Sequence, residues 1–421
     1  MALTWPWCCP DVAPGRFDWL GLARFGAAPG PDPGGVLITL SSADRAPDPA
    51  VLRSPGGFTW FYVDLVDDRG RAATLIWSWG LPFLPGYAQS ARCGRPRLPL
   101  QRPSVNLVVY EGGRERFYLL SELPTEECTW GEDGSSWRLG DCSFSWTDTP
   151  AVAGGVSIRT LQATLDLALP TGGRATGKLW LSGPLRRDLP GAAGGDVSPP
   201  GLGRGSLDTC THLWTPMMAA SRGGLELDTP GGELRIEGRG YHDRNSAGQP
   251  LQSLGIHSWW WGRLALPGRD LIFYRLVPSE AGKAPRDLVV EIAEDGTCRA
   301  REQAALQMGR ERRNVWGLRW PGSAVFADPD GRIVRVDVDS VLDNGPFYQR
   351  YLLRGRCGSD EGYGIGENLM PDRVDTDLLR PLVRMRVHRA VGANSMWLPL
   401  FSGDVDGRWS RLLKRSGGAR V

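Results

Sequence analysis

Hydrophobic residues along this chain fall in short runs, rich in β-branched and aromatic side chains and often alternating with polar ones. GGVLITLSS, FTWFYVDLV, ATLIWSWG, SVNLVVYE, RFYLLSEL, SWRLGDCSFSW, IRTLQATLDLAL and RATGKLWLSG follow one another, parted by the turn signals DDRG, EGG, GEDG and PTGG. A second series holds LELD, ELRIEGRGYH, HSWWWGRLAL, DLIFYRLV, LVVEIAEDG, VWGLRW, RIVRVDVDS and FYQRYLLRG. A period of two sends alternate side chains to opposite faces of a strand, so the pattern predicts an all-β molecule of antiparallel meanders. PDRVDTDLLRPLVRMRVHRA alone spaces apolar residues (Val374, Leu378, Leu379, Leu382) at helical intervals, and its first part is read as a short C-terminal helix packed on a barrel.

Composition sharpens this picture. Eighteen Trp, 56 Gly and 33 Pro favour strands and turns over helices. At 421 residues the chain exceeds what one core usually serves. The Gly/Pro-rich LPGAAGGDVSPPGLGRGS, residues 189–206, is the natural linker, so the expected domains are residues 1–190 and 206–421. Strands with one filled or ligand-holding face suit two consecutive antiparallel barrels, in which closure removes exposed edges; alternation alone fits a sandwich as well.

Charge and cysteine usage remove several functions. The 49 Lys plus Arg nearly cancel 47 Asp plus Glu, with no basic block to hold nucleic acid. Eight irregularly spaced cysteines offer no CxxC pair and read mostly as reduced, buried thiols. The four histidines form no clear ligand pair, so no metal is expected. MALTWPWCCPDVAPGRF has neither a positive n-region nor an uninterrupted apolar h-region, and no run of about 18 apolar residues occurs, so the chain reads as cytoplasmic. It shows no strongly amphipathic helix, which limits any membrane contact to a peripheral, transient one.

Candidate chemistry is sparse. GxSxG, HExxH, P-loop and EF-hand motifs are missing, and EGYGIGENL lacks the strand–turn–helix frame of a dinucleotide site. What remains is THLWTP at 211–216 and GRGYHDRN at 238–245. If both are strands, His212 and Trp214 share a face, as do Tyr241 and Asp243, and the two pairs converge inside one barrel. His242 then points the other way. The ordinary alternative makes Asp243 and Asn245 a turn at a strand end, Trp214 and Tyr241 core, and His212 a hydrogen-bonded structural residue.

PGGFTWFYVDLVDDRGR, LPFLPGYA, NLVVY, HLW, GYHDRN and WWWGR, in that order, resemble the carotenoid 1,2-hydratase (hydroxyneurosporene synthase) family, part of a lipocalin-like superfamily that also includes pericyclases. The chain departs from that pattern at Thr59, where an acidic residue is expected, and in the SAG after YHDRN. The resemblance implies two calycin-type barrels and an enzyme that adds water to the terminal double bond of an acyclic carotenoid without an organic cofactor. It carries over four positions: His212 and Trp214 of an H-x-W, Tyr241 and Asp243 of a Y-x-D. In that reading Asp243, kept protonated by an apolar pocket, is the general acid; Trp214 and Tyr241 face the tertiary cation; His212 takes a proton from the adding water. Trp259 and Trp261, alternating with Trp260, and Trp60 and Trp77 are candidates for lining the substrate cavity, while Arg263 reads as a surface or pairing residue.

Three functions stay open on sequence. A hydratase calls for an apolar tunnel ending at a single buried carboxyl group. A pericyclase or other cyclase calls for a wider cavity with donors for carbonyl groups. A non-catalytic carrier of isoprenoids or lipids calls for no ordered acid at all.

Overall fold

The computed structural model describes residues 38–40, 49–132, 134–152, 155–186, 212–302 and 304–409. The proposed linker at 189–206, like Cys8, Cys9 and Cys210, lies outside them. The strands that border the site are, in chain order, β1 (Phe58–Val66), β2 (Ala72–Trp79), β3 (His212–Thr229), β4 (Gly232–Ala247), β5 (Ile256–Leu266), β6 (Arg269–Pro278), β7 (Tyr348–Cys357) and β8 (Asp360–Leu369).

Among the described residues the strands form a 14-stranded sheet, a nine-stranded sheet and a two-stranded hairpin. The fold is all-β, with two curled, half-barrel, mainly antiparallel sheets and few helices. In the first, a meander reaching from Cys128 to Ala247 returns to pair β4 with β1, and β1 leads on through β2 to the strands Pro103–Glu111 and Arg114–Glu122. The second places β5 and β6 beside β8 and β7. The change of sheet therefore falls between Ala247 and Ile256, later in the chain than the Gly/Pro-rich stretch, and β3 and β4 belong to the first sheet.

Strict alternation sorts the side chains into three cores. Phe61, Val63, Leu65, Trp77, Trp137 and Phe144 fill the hollow of the first sheet. Trp260, Leu264, Phe273, Val336 and Leu353 fill the second. Trp60, Tyr62, Trp214, Tyr241, Trp259, Trp261 and Tyr274 form a third core that takes residues from both sheets. Burial of so many large rings is the main favourable term of the fold.

The C-terminal region is helical for less of its length than the apolar spacing suggests. A 3-10 turn occupies Pro371–Arg373 and a single α-helical turn Arg380–Arg384. Between them Asp375 takes a positive φ of 53°, which interrupts any continuous helix. Its carboxylate accepts the backbone N–H groups of Gly86 and Gln89 and pairs with Arg380, tying this segment to the helix Tyr87–Arg92.

Candidate functional site

The register of three neighbouring strands builds the site. Asp243 on β4 stands opposite Tyr62 on β1, and Asn245 stands opposite both Trp60 on β1 and Trp214 on β3. Paired residues share a face, so Trp60, Tyr62, Trp214, Tyr241, Asp243 and Asn245 all point towards the second sheet. From β5 come Trp259 and Trp261, from β6 Tyr274, from β8 Glu367. Trp60, Tyr62, His212, Asp243, Asn245, Trp259, Trp261, Tyr274 and Glu367 enclose a chamber of about 30 Å³. A larger cavity of about 160 Å³ shares Trp60, Tyr62, Trp259 and Glu367 with it and extends past Ile76, Leu120 and Phe347 to half-buried Pro346, Leu382 and Val383.

Asp243 is 2% exposed and receives three donors. Trp214 Nε1–H and Tyr241 O–H both donate to its Oδ2, at 2.8 and 2.9 Å, and Asn245 Nδ2–H donates to Oδ1 at 2.8 Å. Burial pushes the carboxyl pKa up to about 8; the Trp214 and Tyr241 donors pull against it without winning, and Glu367 adds to the rise. Two donors occupy Oδ2 and one occupies Oδ1, so Oδ1 is the oxygen with room for the acid proton.

Asn245 also fixes the histidine. Its amide nitrogen is turned to the carboxylate, so its Oδ1 can only accept, and His212 Nε2, 2.9 Å away, donates to it. The basic lone pair of the neutral ring is then on Nδ1, which is buried and has no protein partner. Burial lowers the His212 pKa to about 4. The ordinary order of the two groups is thereby inverted: between about pH 4 and 8 Asp243 holds a proton and His212 does not.

The two motif pairs therefore come together, but between the sheets instead of inside a barrel, whose hollow is already filled by rings. Asp243 and His212 line the chamber. Trp214 and Tyr241 stand behind the carboxylate as donors, and the rings that face the chamber are Trp60, Tyr62, Trp259, Trp261 and Tyr274. Trp77 does not join them: it lies on the other face, stacked on Phe61 and Phe144 at 5.3 and 4.5 Å in the first sheet's own core. His242 shares that core, as its register requires, its Nδ1–H donating to Tyr62 O at 2.8 Å. Arg263 is a buried pairing residue, bonded to Asp64 and Asp270.

Sequence reasoning missed Asn245, Tyr62, Tyr274 and Glu367. Asn245 was two residues from Asp243 and so on its face; the period that selected Tyr241 selects Asn245 too. Tyr62, Tyr274 and Glu367 carry no such signal, because only sheet packing brings them in. Glu367 makes a second carboxylate at a chamber expected to hold one, paired with Arg350 at 2.9 Å and accepting from Tyr348 O–H at 2.6 Å. Among the described residues no group of three or more His, Cys, Asp or Glu has metal-holding geometry.

Residues 205–396 match the family model of the carotenoid hydratase CrtC. The matched stretch is just under half of the chain. It holds β3 to β8 and every chamber residue except Trp60 and Tyr62. Two curated relatives extend the likeness along the chain: a hydroxyneurosporene dehydrogenase of Chlorobaculum tepidum, 25% identical over 372 residues (82% of this chain, 91% of that protein), and an acyclic carotenoid 1,2-hydratase of Thiocapsa roseopersicina, 25% identical over 365 residues (85% and 80%). Among solved structures, a candidate AttH protein of Nitrosomonas europaea superposes with a TM-score of 0.51 at 13% identity, over 79% of this chain and 98% of that one, which is a likeness of fold. The stretch similar to the carotenoid hydratase model thus includes the strands that carry Asp243 and His212.

Proposed function

We propose that the protein is a hydro-lyase that adds water to the terminal C=C of an acyclic carotenoid and yields a tertiary alcohol. The observation that carries this reading is the buried carboxyl group of Asp243, its pKa pushed up to about 8 by desolvation, at the inner end of a ring-lined, largely apolar cavity. An isolated trisubstituted alkene is a weak base, so its protonation needs an acid that is still protonated when substrate arrives and is undiluted by bulk water. In the step, the π electrons take the proton from Asp243 Oδ1 to form C–H at the less substituted carbon, leaving a tertiary cation. The faces of Trp60, Trp259 and Trp261 attract that charge, each by about 0.5 to 2 kcal/mol where water is excluded.

Water then forms the C–O bond and loses a proton to His212 Nδ1. This leaves imidazolium and carboxylate, and the inverted pKa order returns the proton to Asp243 downhill by roughly 4 pK units, or about 10⁴ in equilibrium. The balance calls for no electron carrier or organic cofactor. Three donors on an ordered acid favour this reading over a carrier, and the narrowness of the chamber favours it over a cyclase. The substrate is a lipid-dissolved polyene, so the protein meets it by peripheral contact with a membrane.

Incubation with lycopene or neurosporene in heavy-oxygen water tests this, with Asp243→Asn in parallel. Label in a tertiary hydroxyl, absent with the variant, is the expected result. Unlabelled or rearranged product, or equal labelling by the variant, overturns it.

A further inference from the structure

The two-stranded hairpin, Glu311–Arg313 with Arg319–Pro321, stands apart from both large sheets. Its turn exposes Val315 at 94% and Trp316 at 44%, where an isolated hairpin tip has no internal reason to carry either. Arg310, Arg312, Arg313 and Arg319 flank that tip, all exposed. Glu311 pairs with Arg319 at 3.0 Å, and the other three have no acidic partner among the described residues. Trp320, on the strand's inner face, roots the hairpin in the second sheet's core.

The tip is also tied to the mouth of the cavity. Asn314 accepts the N–H groups of Trp316 and Leu318, and its own amide donates to Asn344 Oδ1 at 2.8 Å and Gly345 O at 3.0 Å. Arg373 Nη1 donates to Trp316 O at 3.1 Å and Pro346 O at 3.3 Å. Gly345 and Pro346 line the cavity, as do Leu382 and Val383 of the segment that follows Arg373. Leu378 on that segment is 84% exposed.

We propose that this arginine-flanked hairpin seats the cavity mouth on an anionic lipid surface, with Val315 and Trp316 at the headgroup boundary. The proposal rests on the reading of the cavity as a polyene site. An indole beside an aliphatic side chain suits the membrane–water interface, and arginines reach anionic headgroups while their stems lie against the apolar layer. A polyene dissolved in the bilayer then enters the cavity without crossing water. An acidic protein face would satisfy the arginines but gives Val315 no apolar surroundings, so lipid is the occupant the hairpin fits.

The test floats the full chain with carotenoid-free vesicles, phosphatidylcholine alone or mixed with phosphatidylglycerol, so that it is independent of hydration. Binding to the mixed vesicles, weakened by high salt, is expected. Arg312→Glu/Arg313→Glu and Val315→Ser/Trp316→Ser should each weaken it by about tenfold or more. Both variants should keep wild-type turnover of carotenoid in detergent micelles and lose turnover of carotenoid supplied in vesicles. A wild-type chain that stays unbound, variants that bind equally, or variants that lose turnover in micelles would overturn the proposal. If hydration itself fails in every assay while vesicle binding behaves as expected, it is the functional reading that falls.

Discussion

At the residue scale, two buried groups have exchanged their usual protonation order. Asp243, held near 8, is a competent acid only below that value, and His212, held near 4, is a competent base only above its own. The kcat/KM–pH profile should therefore be a bell with limbs near 4 and 8, falling on the alkaline side as Asp243 ionises; a flat profile to pH 10 would contradict the assignment. Asn245 couples the pair, donating to one and accepting from the other. Asn245→Leu removes a donor that favours the carboxylate, so the alkaline limb should move upward, and kcat should fall by roughly 10²-fold as His212 loses its anchor. Asp243, Tyr241, His212 and Trp214 were legible in the sequence, since a period of two and a family resemblance both select them. The division of labour was not. Whether an indole presents its face or its N–H depends on which neighbour the sheet supplies, and here the strand pairing supplies a carboxylate.

At the scale of elements, β8 shows why a glycine pattern is weak evidence for a nucleotide. Gly362, Gly364 and Gly366 sit where β8 is squeezed between β5 and β7. A Cβ at Gly364 would lie 1.7 Å from Arg263 O, and one at Gly362 would lie 1.8 Å from Ala265 O. Both obstacles are backbone atoms of the adjoining chain, so the strands would have to part. Gly364→Ala should cost about 3 kcal/mol or more in chemical denaturation, whereas alanine at Gly155, whose Cβ meets nothing nearer than 3.0 Å, should cost far less. The triple tryptophan follows the same logic with the opposite result. Its alternation was readable, and the structure sends Trp259 and Trp261 to the chamber and Trp260 to the second core, 4.9 Å from Phe273. The helix read near residue 374 was less secure, because four apolar side chains specify a stripe without specifying the backbone, and Asp375 spends its conformation on clamping a distant helix.

At the scale of the whole molecule, the contact between the sheets is both the scaffold of the site and its most demanding electrostatic feature. Arg263 of the second sheet bonds Asp64 of the first, and Asp270 of the second, with all three side chains fully buried beneath Tyr241. Arg263→Met leaves Asp64 without its cation in a dry interface, and Asp270 with Arg239 alone at 3.5 Å, and should destabilise the protein by about 3 to 5 kcal/mol, read from denaturant midpoints; a loss under 1 kcal/mol would show that water reaches the interface. The sequence by itself determined the all-β class, which side chains of one strand share a face and which are able to do acid–base chemistry, because strand periodicity is local and a side chain's chemistry travels with it; which face meets the chamber, as Trp77 shows, it did not. Only the tertiary structure decided that β3 and β4 join the first sheet, that the chamber lies between sheets, and that an aspartate keeps its proton while a histidine gives its own up. Those outcomes depend on desolvation and on partners from distant strands, which no single stretch of chain contains.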